Sequence, residues 1–124
     1  MVLYKERANG GNRVILDIGE KVHIIERRFF KEDIRRHFIG EIVKCSENSI
    51  RVKGYVWTFE PMRGFNRKPE IRESVINLDE GLTINIIPKE VNIEEIKYVS
   101  SLQKGHIATD GKSFSLDVTE FASG

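Results

Sequence analysis

The stretch that decides the fold is "SIRVKGYVWTF", residues 49–59, in which apolar and polar side chains alternate. Ile50, Val52 and Val56 share one face of the predicted strand. The opposite face carries charged and aromatic residues: Arg51, Lys53, Tyr55 and Trp57. Gly54 stands in mid-strand, where glycine favours the sharp bend by which a strand passes a barrel corner. The stretch therefore predicts a bent strand of a small β-barrel.

Short strands separated by turn signals continue downstream and upstream of this stretch. The predicted strands are "IGEIVKC" (39–45), "IRESVINL" (71–78), "LTINII" (82–87) and "IEEIKYVSSL" (93–102). Two hairpins are predicted as additions to the barrel. One joins residues 14–18 and 22–25 through "GEK", and the other lies within about 105–119, with Asp110-Gly111 as its turn.

One segment has a different period. In "FFKEDIRRHF", residues 29–38, the apolar residues Phe30, Ile34 and Phe38 recur every four positions with charged residues between them. This spacing is typical of an amphipathic helix. The sequence therefore predicts one short helix before the first core strand of a mainly β fold.

Length and charge limit the functions that need to be considered. The 124 residues fit a single domain, 1–124, with a loose lead-in over about residues 1–12. The net charge of +1 excludes a global basic field, so any nucleic-acid or membrane binding requires a local patch. A single cysteine excludes an internal disulfide, and no apolar run has the length of a membrane span. A cytoplasmic protein that does not bind membranes is predicted.

Catalytic and metal-binding motifs are not found in the sequence. The three histidines, His23, His37 and His106, lie in different predicted elements without a second ligand at a recognised spacing, and ordinary surface or strand positions are expected. Cys45 lies within a strand pattern, which favours a structural thiol over a nucleophile. We therefore predict a protein that is not an enzyme, with no cofactor and no metal.

Residues 39–66, "IGEIVKCSENSIRVKGYVWTFEPMRGFN", carry a recognisable spacing. Gly40 begins one strand, Gly54 and Val56 lie in the next, Phe59-Glu60 follows, and Asn66 stands in the loop beyond. Over about residues 29–99 this pattern resembles the Sm-like family of small β-barrels. The resemblance implies a helix followed by a bent, SH3-like barrel, oligomers formed through strand edges, and binding of single-stranded RNA. Glu60 stands where that family usually has Asp.

The loop "EPMRGFNRKPE", residues 60–70, contains the candidate nucleic-acid-binding residues. Arg63, Arg67 and Lys68 are suited to phosphate, Phe65 to base stacking and Asn66 to a base edge. The alternative is a solvated loop in which Phe65 packs on the barrel and glutamates balance the cations. The predicted function is accordingly a non-enzymatic binding module, either for single-stranded RNA or for protein assembly without a nucleic-acid role.

Overall fold

The computed structural model describes residues 4–6, 12–26, 30, 34–78, 81–103 and 105–121, with the backbone alone at 4–6, 12–14 and 121. The strands are β1 (Tyr4–Glu6), β2 (Asn12–Val14), β3 (Lys21–Glu26), β4 (Arg35–Cys45), β5 (Ser49–Glu60), β6 (Gly64–Arg67), β7 (Arg72–Asn77), β8 (Leu82–Ile87), β9 (Lys97–Ser101), β10 (Gly105–Thr109) and β11 (Ser115–Asp117). Single 3-10 turns span Ile93–Glu95 and Thr119–Phe121. The predicted mainly β class is confirmed.

The main sheet is antiparallel and has the strand order β6-β5-β4-β3-β8. Strand β5 is long enough to pair with two successive strands on one side, with β7 along residues 49–54 and with β6 along residues 57–60. Among the described strands, β8 pairs only with β3, and β6 and β7 pair only with β5. The sheet therefore has two edges, and closure into a barrel is not confirmed.

Gly40 and Gly54 face each other across the β4–β5 ladder. A Cβ atom built on Gly54 would overlap the Ile39 carbonyl oxygen and the Gly40 Cα atom. A Cβ atom built on Gly40 would lie 2.5 Å from the Lys53 carbonyl oxygen. The two glycines thus allow a close approach of the strand backbones that no residue with a side chain permits.

A separate hydrophobic core lies on each side of the main sheet. The first core consists of buried aliphatic and aromatic residues: Leu16, Val22, Ile24, Phe38, Ile42, Ile50, Val52, Val56, Ile76 and Ile84. The second core lies toward a three-stranded sheet of order β11-β10-β9. Its buried members are Ile39, Trp57, Ile87, Val91, Ile96 and Ala108. The central strands β3, β4 and β5 are therefore covered on both faces, which explains their runs of four consecutive buried residues.

The helix predicted over residues 29–38 is wrong for residues 35–38, which belong to β4 and pair with β5. A spacing of four is even, so it is compatible with one face of a strand as well as with a helix. Ile34 itself precedes β4 and is exposed. The described residues contain no α-helix. Neither of their two 3-10 turns has the length and hydropathy of a membrane span. Residues 31–33 lie outside the described part of the chain.

The two predicted hairpins have different outcomes. The hairpin between residues 14–18 and 22–25 is wrong, because β3 pairs with β4 and β8 and is integral to the main sheet. The C-terminal hairpin is confirmed as β10–β11, and the Asp110 carboxylate accepts hydrogen bonds from the backbone N–H groups of Lys112 and Phe114. Within the predicted lead-in, β1 pairs with β2.

Candidate nucleic-acid surface and a buried polar cluster

The predicted nucleic-acid-binding residues lie on a tight hairpin, residues 60–68, which we call the basic hairpin. Arg63 is in its turn, and β6 carries the next candidates in alternation. Phe65 is paired with Phe59 and Arg67 with Trp57, whereas the intervening Asn66 is paired with Thr58. Because strand side chains alternate, Phe65 and Arg67 share the face of the second core and Asn66 lies on the opposite face. The hairpin therefore divides the candidates between two faces.

Phe65 is packed against other aromatic side chains of the protein. Its ring is stacked on that of Tyr98, with centroids 4.0 Å apart and planes inclined by 11°. The rings of Phe59 and His37 are each 5.0 Å from it. These contacts occupy the ring within the protein and match the alternative in which Phe65 packs on apolar surface. The ring anchors the basic hairpin to β9.

The cations of the basic hairpin are exposed. Glu70 binds Arg72 at 2.6 Å, and its pKa is lowered chiefly by that hydrogen bond and to a smaller extent by the charge of Lys68. Arg67 lies over the Tyr55 ring, 4.3 Å from its centroid, a cation–π contact. Within the described ranges, no ion pair to a carboxylate is formed by Arg63, Arg67 or Lys68. The charges of Arg63 and Arg67 are therefore open to an anionic partner, and that of Lys68 has only the long-range interaction with Glu70.

Four polar side chains meet between the two sheets, and we call them the inter-sheet cluster: His23 on β3, His37 on β4, Asn85 on β8 and Tyr98 on β9. Both histidines are fully buried. The Tyr98 hydroxyl oxygen is 3.0 Å from His23 Nε2 and 2.9 Å from His37 Nδ1, and those two nitrogens are 3.2 Å apart. The Asn85 Nδ2 atom lies 3.3 Å from His23 Nδ1.

One arrangement of protons satisfies these contacts with both imidazoles neutral. The Asn85 amide donates to His23 Nδ1, which leaves the imidazole proton on Nε2. His23 Nε2–H donates to the Tyr98 oxygen, and the Tyr98 hydroxyl donates to His37 Nδ1. The cluster is thus a directional chain of hydrogen bonds that spans both sheets.

Burial determines the protonation behaviour of this cluster. Desolvation, followed by the neighbouring His37, lowers the pKa of His23 from 6.5 to about 3. Burial also raises the pKa of Tyr98 well above its ordinary value. Both groups are therefore neutral at physiological pH.

A shallow cavity of about 500 Å³ lies at the edge of the second sheet, lined by Glu94, Glu95, Lys97, Thr109, Asp110 and Gly111. Its three carboxylates have partners within the protein. Glu95 binds Lys112, Glu94 accepts from the Tyr55 hydroxyl, and Asp110 holds its own turn. The polar groups of this cavity therefore stabilise the surrounding turns.

The sequence does not predict the inter-sheet cluster, because its hydrogen-bonded pairs are 14 to 75 residues apart along the chain. The only available signal is the position of His23 and His37 within apolar runs, "VHII" and "HFI". The strand position predicted for His23 agrees with the structure, whereas His37, which falls within the predicted helix 29–38, lies in β4. A surface location is wrong for both histidines.

No family model, curated protein or solved structure matches this chain. The class of protein is therefore defined by its own geometry. It is a mainly antiparallel β protein with two packed sheets, an exposed basic hairpin and a buried polar cluster between the sheets.

Proposed function

We propose that the protein is a non-enzymatic binding module that holds single-stranded RNA on the basic hairpin. The observation that carries this proposal is the set of three exposed cations, Arg63, Arg67 and Lys68, without ion pairs to described carboxylates. Cations along a groove or strand contact successive phosphates, and this contact supplies most of the affinity for single strands. The Phe65–Tyr98 stack fixes the hairpin that presents them.

Base stacking is assigned to Arg67 and Tyr55, since the Phe65 ring is occupied by Tyr98. A guanidinium plane offers a flat surface on which an unpaired base stacks, and the tyrosine beneath it holds the guanidinium in place. Asn66 is exposed, and its amide nitrogen is 3.3 Å from the Gly64 carbonyl oxygen. Its side-chain oxygen is suited to a base edge.

The proposed relationship to Sm-like barrels is supported by the close approach of two central strands of the main sheet. The facing pair Gly40 and Gly54 brings β4 and β5 together as a strongly bent strand requires. Val56, which stands at the apolar position after the glycine in the family pattern, lies in the first core. The relationship itself stays a prediction.

Binding of a fluorescent single-stranded oligoribonucleotide, measured by anisotropy over a range of salt concentrations, tests the proposal. Replacement of Arg63, Arg67 and Lys68 together by Ala should weaken binding and reduce the log–log salt slope by about 2, since each phosphate contact on a single strand contributes about 0.7. The matched control replaces Lys44, Lys89 and Lys97, three exposed lysines outside the basic hairpin, by Ala. This control has the same net charge and should retain most of the salt slope.

Equal salt slopes for the two triple variants would show that RNA binding reflects overall charge and not the basic hairpin. A wild-type protein without RNA affinity at low salt would contradict the proposal. All six replaced side chains are exposed, so both variants should retain the stability of the wild type. Urea unfolding of both variants checks that the fold is retained.

Assembly through strand edges is a second candidate, favoured by the two edges of the main sheet. On the β7 edge, Val75 is 63 % exposed, and on the β8 edge Ile86 is 43 % exposed. Pairing of the β7 edge of one copy with the β8 edge of the next would cover both and would generate a ring or a filament. Sedimentation at micromolar concentration should then show species heavier than 14.3 kDa, and a Val75→Lys variant should return to the monomer.

A further inference from the structure

Three donor atoms of the inter-sheet cluster form a compact triangle. The sides between His23 Nε2, His37 Nδ1 and the Tyr98 hydroxyl oxygen are 3.2, 3.0 and 2.9 Å. The centroids of the same three rings are farther apart, at 5.2 to 6.3 Å. The rings therefore extend outward from a common point, and their polar atoms converge on it.

These separations match those of ligands on a transition-metal ion. Two donors that are each about 2.1 Å from a metal and subtend about 90–110° are about 3.0–3.4 Å apart. Imidazole nitrogens suit Zn²⁺ and Cu²⁺, and a tyrosine oxygen adds a negative charge once its proton leaves. Three protein ligands with one further position open to water form a common zinc arrangement.

We propose that His23, His37 and Tyr98 form a binding site for a divalent transition-metal ion such as Zn²⁺. No group of three His, Cys, Asp or Glu side chains among the described residues is placed to hold a metal ion. This site differs because its third donor is a phenol. It is independent of RNA binding by the basic hairpin.

Metal binding requires a balanced rearrangement of protons. The Tyr98 hydroxyl releases its proton to solvent, so that the phenolate oxygen binds the ion. The His23 proton moves from Nε2 to Nδ1, and His37 Nδ1 already offers a lone pair. One proton is therefore released for each ion bound, and no electron is transferred.

Asn85 is placed to support both states of the site. In the metal-free chain its amide nitrogen donates to His23 Nδ1. After a half-turn of the amide, its oxygen accepts from the relocated Nδ1–H and orients the imidazole toward the ion, as groups beside metal-ligating histidines commonly do. Asn85 is thus a positioning residue and contacts no metal.

The ligands are held by rigid elements. His23 and His37 lie on adjacent central strands, where His23 stands between buried residues and His37 precedes three buried residues. The Tyr98 ring is fixed by the Phe65 stack and by Trp57, whose centroid is 4.8 Å away. Such preorganisation favours binding, because the ligand side chains need little further ordering when the ion binds.

The test is titration of the EDTA-treated full chain with Zn²⁺ by isothermal calorimetry in two buffers of different ionisation enthalpy. We expect one ion per chain, release of about one proton, and a tyrosinate difference spectrum in the ultraviolet. Tyr98→Phe retains the ring and its stacking but removes one ligand, and His37→Gln removes another. Each should weaken binding at least about tenfold, and Asn85→Ala should weaken it by roughly 10–100-fold.

The matched control is His106→Gln. His106 contacts Phe65 and Phe59 and lies 2.6 Å from the Ser100 hydroxyl, outside the triangle of ligands. It should bind Zn²⁺ like wild type. Absence of Zn²⁺ binding by the wild-type chain, binding without a tyrosinate signal, or loss of binding only in His106→Gln would each overturn the proposal. The tyrosinate signal of the wild-type chain decides the matter even if a ligand variant fails to fold.

Discussion

Gly54→Ala tests the close approach of β4 and β5 in the main sheet. The added Cβ atom would overlap backbone atoms of β4, the Ile39 carbonyl oxygen and the Gly40 Cα atom. No side-chain rotation relieves an overlap with backbone, so β4 and β5 must separate at this pair. The ladder hydrogen bonds on either side of the pair are stretched as a result.

The expected destabilisation follows from these contacts. Weakening of two backbone hydrogen bonds costs about 2 kcal/mol, at roughly 1 kcal/mol for each. Strain from overpacking adds about 1–3 kcal/mol. The reduced freedom of the unfolded chain returns up to about 1 kcal/mol when Gly is replaced by Ala. The free energy of unfolding should therefore fall by about 2–5 kcal/mol.

Urea unfolding followed by the fluorescence of Trp57, the single tryptophan, measures this change. Gly111→Ala is the matched control, because a Cβ atom there meets nothing within 4 Å and only the backbone angle φ of +76° opposes it. This conformation costs an Ala residue about 1–2 kcal/mol before the gain from the unfolded chain. The reasoning is refuted if Gly54→Ala loses less than about 1 kcal/mol or no more than Gly111→Ala does.

Two further predictions concern the surroundings of Tyr98. Phe65→Ala should lower the free energy of unfolding by about 2–3 kcal/mol, somewhat less than the loss of a fully buried Phe side chain. Asn66→Ala, on the same strand, should change it by less than about 0.5 kcal/mol. Equal effects of the two substitutions in urea unfolding would contradict the anchoring role of Phe65. Acidification from about pH 7 to about pH 5 in metal-free buffer should lower the free energy of unfolding by about 2 kcal/mol. The unfolded chain protonates His23 near pH 6.5, whereas the folded chain, in which His37 and Tyr98 face this residue, protonates it only near pH 3. Stability is complete above pH 6.5 and falls as the pH decreases, and a His23→Gln variant with the same pH dependence as wild type would refute this assignment.

Local patterns predict most of the strands, because apolar and polar residues alternate along a strand that is buried on one face. The strand 49–59, the edge strand "LTINII" and the Asp110-Gly111 hairpin all appear in the structure. The need for glycine at position 54 is also accounted for, since a Cβ atom there would meet the backbone of β4. Such features depend on neighbours along the chain or on one partner strand.

The second layer could not be predicted from the same patterns. Trp57 alternates with the charged residues of β5 and is nevertheless 8 % exposed, because the second sheet covers that part of the strand. The segment 93–102, expected to be a barrel strand, instead contributes β9 to that second sheet. Which sheet a strand joins is decided by contacts between distant residues, and periodicity carries no information about them. The same limit applies to the basic hairpin, where the order of residues does not reveal that Phe65 meets Tyr98.

The inter-sheet cluster also determines the register of the central strands. His23 is paired with Ile39, and His37 is paired with Ile25, so the two imidazoles meet diagonally across β3 and β4 on the face of Tyr98. A slip of β3 by one residue would move His23 to the other face, among the aliphatic side chains of the first core. There it would lose Asn85 and Tyr98, and a buried polar group without partners costs about 1–3 kcal/mol. Four aliphatic residues in place of the cluster would tolerate such a slip, because each face would still bury apolar surface. The hydrogen-bonded histidines therefore exclude an alternative pairing that hydrophobic burial alone would allow.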